Sequence, residues 1–342
     1  MTPRAKLAQV VGGMLAGLGL AAGVAAALAQ GGRASWALDV LAHAAPLYAL
    51  AGLGGVLGGL WPGRLRKAGR LRKAGLAGGL VALAGAAALM APEYLRPAPP
   101  SLAPSAPVDS AGRLKIIQFN AFKKNADIRA VADWLIAEDP DIVTIQEARH
   151  DLRDLLLART TWQVAGRKEH VMIFSREKRL GMTRPKPTAR DLTFINATYP
   201  GPGGPYEVVT VHFDWPSART YPGQHADLAE VVAARPRDRM ILAGDFNTTP
   251  WSFALRRADR TLGLRRLDRA AWSFPARLGS LPWPVQVLPI DHVYAGPGWR
   301  LVGLRRGPSL GSDHRPLVVE LAPTTPQPLL ARRPHQDGAE RR

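Results

Sequence analysis

Eight polar residues stand where apolar runs stop: Asn120, Glu147, His212, Asp245, Asn247, Asp291, Asp313 and His314. Carboxylates bind hard cations and accept protons, imidazoles change charge near neutral pH, and a carboxamide holds an anion without charge of its own. The densest group is Met240-Ile241-Leu242-Ala243-Gly244-Asp245-Phe246-Asn247. Its four leading apolar residues predict a buried strand, and Gly244 ends it where close backbone approach or an unusual φ is easy. Asp245 and Asn247 follow two apart, on one face if the extended geometry continues. Gly, Asp and Asn also build turns, so this stretch alone supports either reading. Recurrence separates them, because strand after strand ends in a residue suited to metal or phosphate chemistry.

The elements that must position these residues follow from the apolar pattern. Leu114 to Phe119 predicts a strand with Asn120 at its end, and Ile142 to Ile145 a second, ending in Gln146-Glu147. Between them Asp127 caps a helix whose apolar face is Ile128, Val131, Trp134 and Leu135, and Pro140 closes it. Val171 to Phe174, Leu192 to Tyr199 and Glu207 to His212 read as further strands, and a helix runs from Gln224 to Ala234 before the Met240 strand. Ile290 to Tyr294, Arg300 to Leu304 and Leu317 to Leu321 complete the set, with Gly311-Ser312-Asp313-His314-Arg315-Pro316 leading into the last. Many strands with few helices between them predict two packed sheets with outer helices rather than a doubly wound parallel sheet.

The first hundred residues have a different character. Three apolar runs, near 10–29, 38–61 and 74–91, are each close to the ~20 residues that cross a bilayer, and their abundant glycine suits close helix packing in lipid. Gly63-Arg64-Leu65-Arg66-Lys67-Ala68-Gly69 repeats at once as Gly69-Arg70-Leu71-Arg72-Lys73-Ala74-Gly75, placing six positive charges between the second and third runs. Only Arg33 lies between the first and second. The positive-inside rule therefore puts the basic repeat and the N-terminus in the cytoplasm and everything after the third run outside, the periplasm in a double-membrane bacterium. Ala27-Leu28-Ala29 resembles a signal-peptide cleavage site, and cleavage there leaves the topology unchanged.

The formal charge of +18 divides as +8 over residues 1–108, +8 over 109–322 and +2 over the last twenty, so the middle segment is only mildly basic for its length. The chain has no cysteine, which excludes disulfides and thiolate metal sites. The domain reading is a membrane anchor at 1–91, a Pro-rich extended linker at 92–112 that lifts the next part off the membrane, a catalytic domain at 113–322 and a disordered tail at 323–342.

The Asn120 strand end, Gln146-Glu147, Val211-His212, Gly244-Asp245-Phe246-Asn247, Ile290-Asp291-His292 and Ser312-Asp313-His314 occur in an order that resembles the endonuclease/exonuclease/phosphatase (deoxyribonuclease-I-like) superfamily, in a membrane-anchored bacterial form. The resemblance spans about residues 113–322 and implies a four-layered α/β sandwich, two packed mixed sheets flanked by helices, behind an all-α membrane region of about three transmembrane helices. It implies that Glu147, with Asn120 and Asp313, forms the site of a divalent cation, Mg²⁺ or alternatively Mn²⁺. Asp245 resembles the carboxylate that orients or deprotonates the attacking water, and Asn247 the residue that contacts phosphate. His314, held by Asp291, resembles the histidine at the scissile phosphate. His212 resembles a second histidine for leaving-group protonation or phosphate binding. One position departs from the pattern: some nuclease branches carry Asp or Asn two residues after the first Asn, where this chain has Phe122, which puts a second metal contact in doubt.

In-line attack on a phosphorus ester requires an activated water, a cation on a non-bridging oxygen and a stabilised leaving oxygen, and these residue types supply such parts. The reading is a multi-pass inner (plasma) membrane protein whose catalytic domain lies outside the cytoplasm. It hydrolyses phosphodiester bonds in a nuclease-like manner, and its partners are a nucleic-acid or phospholipid-headgroup substrate and the bilayer. The alternatives are a phospholipid- or sphingomyelin-type phosphodiesterase or phosphatase of the same fold, and a non-catalytic membrane-tethered binding domain. His292 should face away from the site, and His150, His170 and His225 read as surface residues. Trp215, Arg219 and Tyr221 are candidates for one wall of the site. The apolar Ser280-Leu281-Pro282-Trp283-Pro284 loop either touches the bilayer or joins the core.

Overall fold

The computed structural model describes residues 2–60, 66–101, 112–147, 149–166, 171–182 and 192–324. Four helices come first: α1 (Pro3–Ala29), α2 (Trp36–Ala42), α3 (Ala45–Leu60) and α4 (Arg66–Leu95). They are followed by β1 (Leu114–Asn120), α5 (Ile128–Glu138), β2 (Ile142–Gln146), α6 (His150–Arg159), β3 (Gln163–Ala165), β4 (Val171–Ser175), β5 (Thr193–Tyr199), β6 (Tyr206–His212), α7 (Tyr221–Ala233) and β7 (Met240–Asp245). The remainder is α8 (Phe253–Thr261), β8 (Arg265–Arg266), β9 (Arg277–Leu278), β10 (Leu281–Pro282), β11 (Asp291–Ala295), β12 (Trp299–Arg306) and β13 (Leu317–Pro323). Expected elements appear with shifted ends, while α6, α8 and the short strands β3, β8, β9 and β10 lie where the apolar pattern predicts no element. The α6 sequence HDLRDLLLAR mixes charge into its apolar rows.

Two mixed sheets run β12-β13-β1-β2-β4-β3 and β5-β6-β7-β11-β8. Three apolar layers hold them. One lies between the sheets, with Ile116, Ile142 and Ile173 against Val208, Ile241 and Val293. A second joins the first sheet to α5 and α6 through Ile117, Phe119, Val131, Leu135 and Leu156. A third joins the second sheet to α7 and α8 through Val209, Leu228, Leu242 and Leu255. The result is helix, sheet, sheet, helix, the four-layered sandwich.

Strand alternation sends successive side chains to opposite faces, and here it turns one end of the inter-sheet layer polar. Along β1 the inward residues run Leu114, Ile116, Gln118, Asn120. Along β2 they run Ile142, Thr144, Gln146, and along β6 Val208, Thr210, His212. Along β7 they run Ile241, Ala243, Asp245, and along antiparallel β11 the same end carries Asp291. The register aligns these ends: Asn120 stands opposite Gln146, His212 opposite Asp245, and Asp245 opposite Asp291. Gly244 has no side chain because β6 lies against it; a Cβ there would come within 2.2 Å of the Val211 carbonyl oxygen.

The N-terminal helices pack through small residues. Positions such as Gly19 against Gly55 and Gly23 against Gly78 leave no room for a Cβ. Large apolar residues point outward instead, among them Leu18, Val24, Leu50, Leu53, Leu57 and Leu80, each at least half exposed. Buried alanine with exposed leucine is inside-out for a bundle in water and suits one in lipid. Two helical stretches, Leu7–Arg33 and Gly69–Leu95, are long and apolar enough to cross a membrane, and α2 with α3 makes a third if the pair counts as one span.

Two expectations change at the junction between this region and the sandwich. The second apolar run is not one helix: α2 and α3 meet at 62°, and α2 lies against the sandwich. The reason is Asp39, which is fully buried and accepts hydrogen bonds from Phe253 N (2.7 Å) and Ala254 N (2.8 Å) at the start of α8. The proline-rich segment does not begin as an extended spacer. Pro92 lies within α4, and the next residue, Glu93, is buried in an ion pair with Arg266, Oε2 to Nη2 at 2.6 Å. Residues 102–111 of that segment, most of the tail and part of the basic repeat lie outside the described residues.

Candidate active site

The polar end of the inter-sheet layer collects the predicted residues around one atom, Asp245 Oδ2. Asn120 Nδ2 donates to it at 2.9 Å, and His314 Nε2 and His212 Nε2 stand 3.6 and 3.8 Å away. His314 Nδ1 donates to Asp291 Oδ2 at 2.8 Å. Glu147 lies on the open side, 4.0 Å from His212 Nε2, with its carboxylate accepting from Lys123 N (3.0 Å) and Asn120 Nδ2 (3.4 Å). Asp245, Asp291 and His314 are buried.

The charges follow from this placement. Burial opposes a charged imidazole, yet Asp291 and Asp245 together push His314 up to about 10, so it is a cation at neutral pH. Burial would also neutralise Asp291, but the His314 cation holds its carboxyl below the ordinary range. Asp245 is raised, first by burial and then by Asp291. A group lifted in this way is a better proton acceptor than an ordinary surface carboxylate once ionised.

Asn247 does not stay on the extended face. β7 ends at Asp245, and Asn247 takes a left-handed φ of 45°. A turn forms in which Asn247 N donates to Asp245 Oδ1 (2.8 Å), and Asn247 Nδ2 donates to the Phe213 carbonyl (2.7 Å). The turn and site readings of this stretch therefore hold together. Glu147, with φ 50°, and Phe122, with φ 60°, are also left-handed, a strained setting for side chains that functional sites tolerate.

A donor set for a hard cation exists here. Glu147 presents its carboxylate, and Asp313, beside Glu147 and Asp245, has a buried Oδ1 with no hydrogen-bond partner. An orphaned carboxylate oxygen facing other carboxylates is what a divalent cation satisfies. Asp245, Asp291 and His314 also have ligand atoms within 4.8 Å of one another, and His314 Nδ1 and Asp291 Oδ2 are joined by the hydrogen bond described above. Phe122 offers no ligand; its N–H donates to Asn120 Oδ1 (3.0 Å) and its ring lies 5.8 Å from the Arg277 guanidinium.

Sequence reasoning missed the layer beneath the site. Gln118 Nε2 donates to Asp291 Oδ1 (3.2 Å), Thr144 Oγ1 to Gln118 Oε1 (2.7 Å), and Gln146 Nε2 to Thr210 Oγ1 (2.8 Å). These residues sit two before the site residues on their strands, or alternate with them, and that period was the signal available. Ser312 Oγ donates to the Asn120 carbonyl (2.7 Å) and accepts from His314 N (3.0 Å), tying the final loop to β1. Phe274 was also missed; its ring packs 5.0 Å from that of His314 and 5.6 Å from Trp215.

Among the other candidates, Trp215 is exposed and Tyr221 is buried, so only the former stands on a wall. His292 faces away from the site and bridges Asp268 (2.8 Å) and the Thr248 carbonyl (2.8 Å). His225 is half-buried rather than exposed. It packs against Tyr221, Phe213 and Trp36, and burial pushes it down to about 3. His150 is exposed, and His170 lies outside the described residues.

A sequence model of the endonuclease/exonuclease/phosphatase family matches residues 117–314, a range that takes in every site residue named above. No curated protein matches the chain in sequence. Several solved structures share the fold. A functionally unknown conserved protein from Enterococcus faecalis V583 is 19% identical, with 62% of this chain covering 100% of that one at a TM-score of 0.51. An endonuclease/exonuclease/phosphatase from Beutenbergia cavernae DSM 12333 is 21% identical over 62% and 72% of the two chains, TM-score 0.50. TDP2 from D. rerio, solved with a single-strand DNA product, is 17% identical over 62% and 99%, TM-score 0.50.

Proposed function

The chain belongs to the endonuclease/exonuclease/phosphatase family, and from that membership we propose a membrane-anchored, divalent-metal-dependent hydrolase of phosphodiester bonds. The observation that carries the reading is the clustering of His314, His212 and Asn120 within 4 Å of Asp245 Oδ2, beside Glu147 and the unpartnered oxygen of Asp313.

Each residue has a definable task. Asp245 orients a water and accepts its proton, helped by the burial that raises its basicity. His314, kept cationic by Asp291, places positive charge where the phosphoryl oxygens gain negative charge. His212, less enclosed, gives a proton to the leaving oxygen. Asn120 fixes the Asp245 and Glu147 carboxylates, and Asn247 shapes the turn that presents Asp245. Glu147, Asp313 and Asn120 would hold the cation, which when bound polarises a non-bridging phosphate oxygen. Mg²⁺ suits an oxygen-rich set, with Mn²⁺ as the alternative.

The inside-out apolar bundle supports membrane anchoring, and the charge of the 63–75 repeat supports an extracytoplasmic sandwich. A reporter active only in the periplasm, fused after residue 324, tests the sidedness: activity agrees with it and silence reverses it.

The full chain in detergent, given Mg²⁺ or Mn²⁺, should hydrolyse bis-p-nitrophenyl phosphate, and chelator should abolish the activity. Asp245→Ala and His314→Ala should each lower kcat by roughly 10²-fold or more. The same panel includes plasmid DNA and RNA, because the D. rerio structure holds a DNA product. Metal-bound, folded protein that hydrolyses no phosphodiester would return the chain to the binding-domain reading.

A further inference from the structure

An open groove of about 490 Å³ lies where the apolar helices meet the sandwich. One wall is helical, with Pro46, Ala49 and Leu50 from the first turns of α3 and Met90 near the end of α4; the other comes from the sandwich, chiefly Trp272 and Val285. From the groove, the stripe Leu50, Leu53, Leu57 continues down α3 at helical spacing, each residue at least half exposed. The groove is therefore the upper end of a face suited to lipid rather than an isolated surface dent.

Its rim is cationic. Arg306 lines the groove, and Arg315 is near enough that, after burial, it is what holds the Arg306 guanidinium below its ordinary range. Arg306 Nη1 donates to the Trp272 carbonyl at 2.7 Å and to Gln286 Oε1 at 3.3 Å. Arg315 Nε is buried without a hydrogen-bond partner. Neither guanidinium has a carboxylate partner among the described residues. Two such neighbours call for an anion that the protein does not supply.

Chain neighbours link the groove to the candidate site. Arg315 follows His314 directly in the chain, and Arg315 N donates to the Ser273 carbonyl at 3.0 Å. Trp272 lines the groove, while Phe274, two residues on and thus within roughly 7 Å along the backbone, packs against His314. The hairpin that follows is apolar and exposed, with Leu278 at 50%, Leu281 at 70% and Val285 at 57%.

We propose that this groove takes an acyl chain of a membrane phosphodiester, so that the substrate is an anionic amphiphile drawn from the leaflet beside the sandwich. The chain lies along α3 and Val285. Arg306 and Arg315 attract the anionic head, and the phosphate passes Phe274 to reach His314. This rests on the phosphodiesterase reading and names its substrate class.

The test uses the full chain in nanodiscs containing phosphatidylglycerol with a photoactivatable diazirine in one acyl chain. Cross-linking should map to α3 and residues 284–287 and should fall at least tenfold in Val285→Asp. Both that variant and Arg306→Gln, at exposed positions where folding is easily retained, should lower by at least tenfold the ratio of turnover on long-chain phosphatidylglycerol to turnover on bis-p-nitrophenyl phosphate. Metal-dependent hydrolysis of the soluble ester or of DNA, with no groove cross-link and an unchanged ratio, overturns the groove and leaves the phosphodiesterase standing. Absence of hydrolysis of any phosphodiester overturns both.

Discussion

His314 lies between Asp291 at 2.8 Å and Asp245 at 3.6 Å, and the two carboxylates hold its proton against the cost of burial. Asp291→Asn keeps the shape of the pair and removes the charge that fixes the ring's protonation and orientation. Gln118 can still donate to the oxygen that remains, so the fold should persist while kcat falls by roughly 10²-fold or more with little change in KM. Steady-state kinetics beside a circular dichroism melt decides this; unchanged kcat would make Asp291 a structural residue only. The types and order of the site residues were legible one by one because each interrupts an apolar strand. Their protonation was not, since it depends on groups from β7, β11 and the loop before β13 that meet only in the fold.

At the scale of elements, α8 shows how a helix can depend on a distant segment. Ser252 caps it by accepting from Leu255 N (3.0 Å), and Asp39 accepts from two further N–H groups of its first turn. Asp39→Ala would leave those two donors buried and unpaired, at about 1–3 kcal/mol each, and the melting temperature of the full chain in detergent should drop by several degrees. No drop would mean that the junction opens readily. Beneath it runs a buried ionic chain: Glu93 and Asp268 both pair with Arg266, and Asp268 also pairs with His292. Burial would raise Asp268, but His292 and Arg266 hold it far below the ordinary carboxylate range. A depressed folded-state value adds stability above the unfolded value of ~3.9 and loses it as pH falls toward the folded one. Acid unfolding should therefore steepen below about pH 4, and Asp268→Asn should flatten that dependence. A wild-type curve no steeper than the variant's would remove this pair from the account. Asp39 and Glu93 are the only acids in the first hundred residues, a rarity visible in the sequence whose reason lies 173 to 215 positions away.

For the molecule as a whole, the N-terminal helices are part of the sandwich's packing and not a detachable leash. Trp251 and Phe253 share a core with Ala26, Ala42, Ala86 and Leu89, and Thr249 N donates to His43 Nδ1 at 3.2 Å, two residues beyond Asn247. A fragment of residues 112–324 should consequently melt at least several degrees below the full chain compared in the same detergent, and should lose kcat on soluble phosphodiesters. A fragment equal to the full chain in both would show the contact to be incidental to the sandwich.

Composition and period alone determined that the chain has an apolar helical start and a two-sheet sandwich, and that chemistry-bearing residues end its strands. These are local properties: a run of ~20 apolar residues or an alternation of period two can be read without knowing neighbours. The tertiary structure decided the rest. It broke the second apolar run at 62° because Asp39 belongs to α8, and it turned Asn247 out of the strand. It also drew His225 half into the packing beside Tyr221 and joined the proline-rich segment's first residues to α4. In each case the deciding partner is remote in sequence, and burial makes that partner's hydrogen bond or charge worth more than any local propensity.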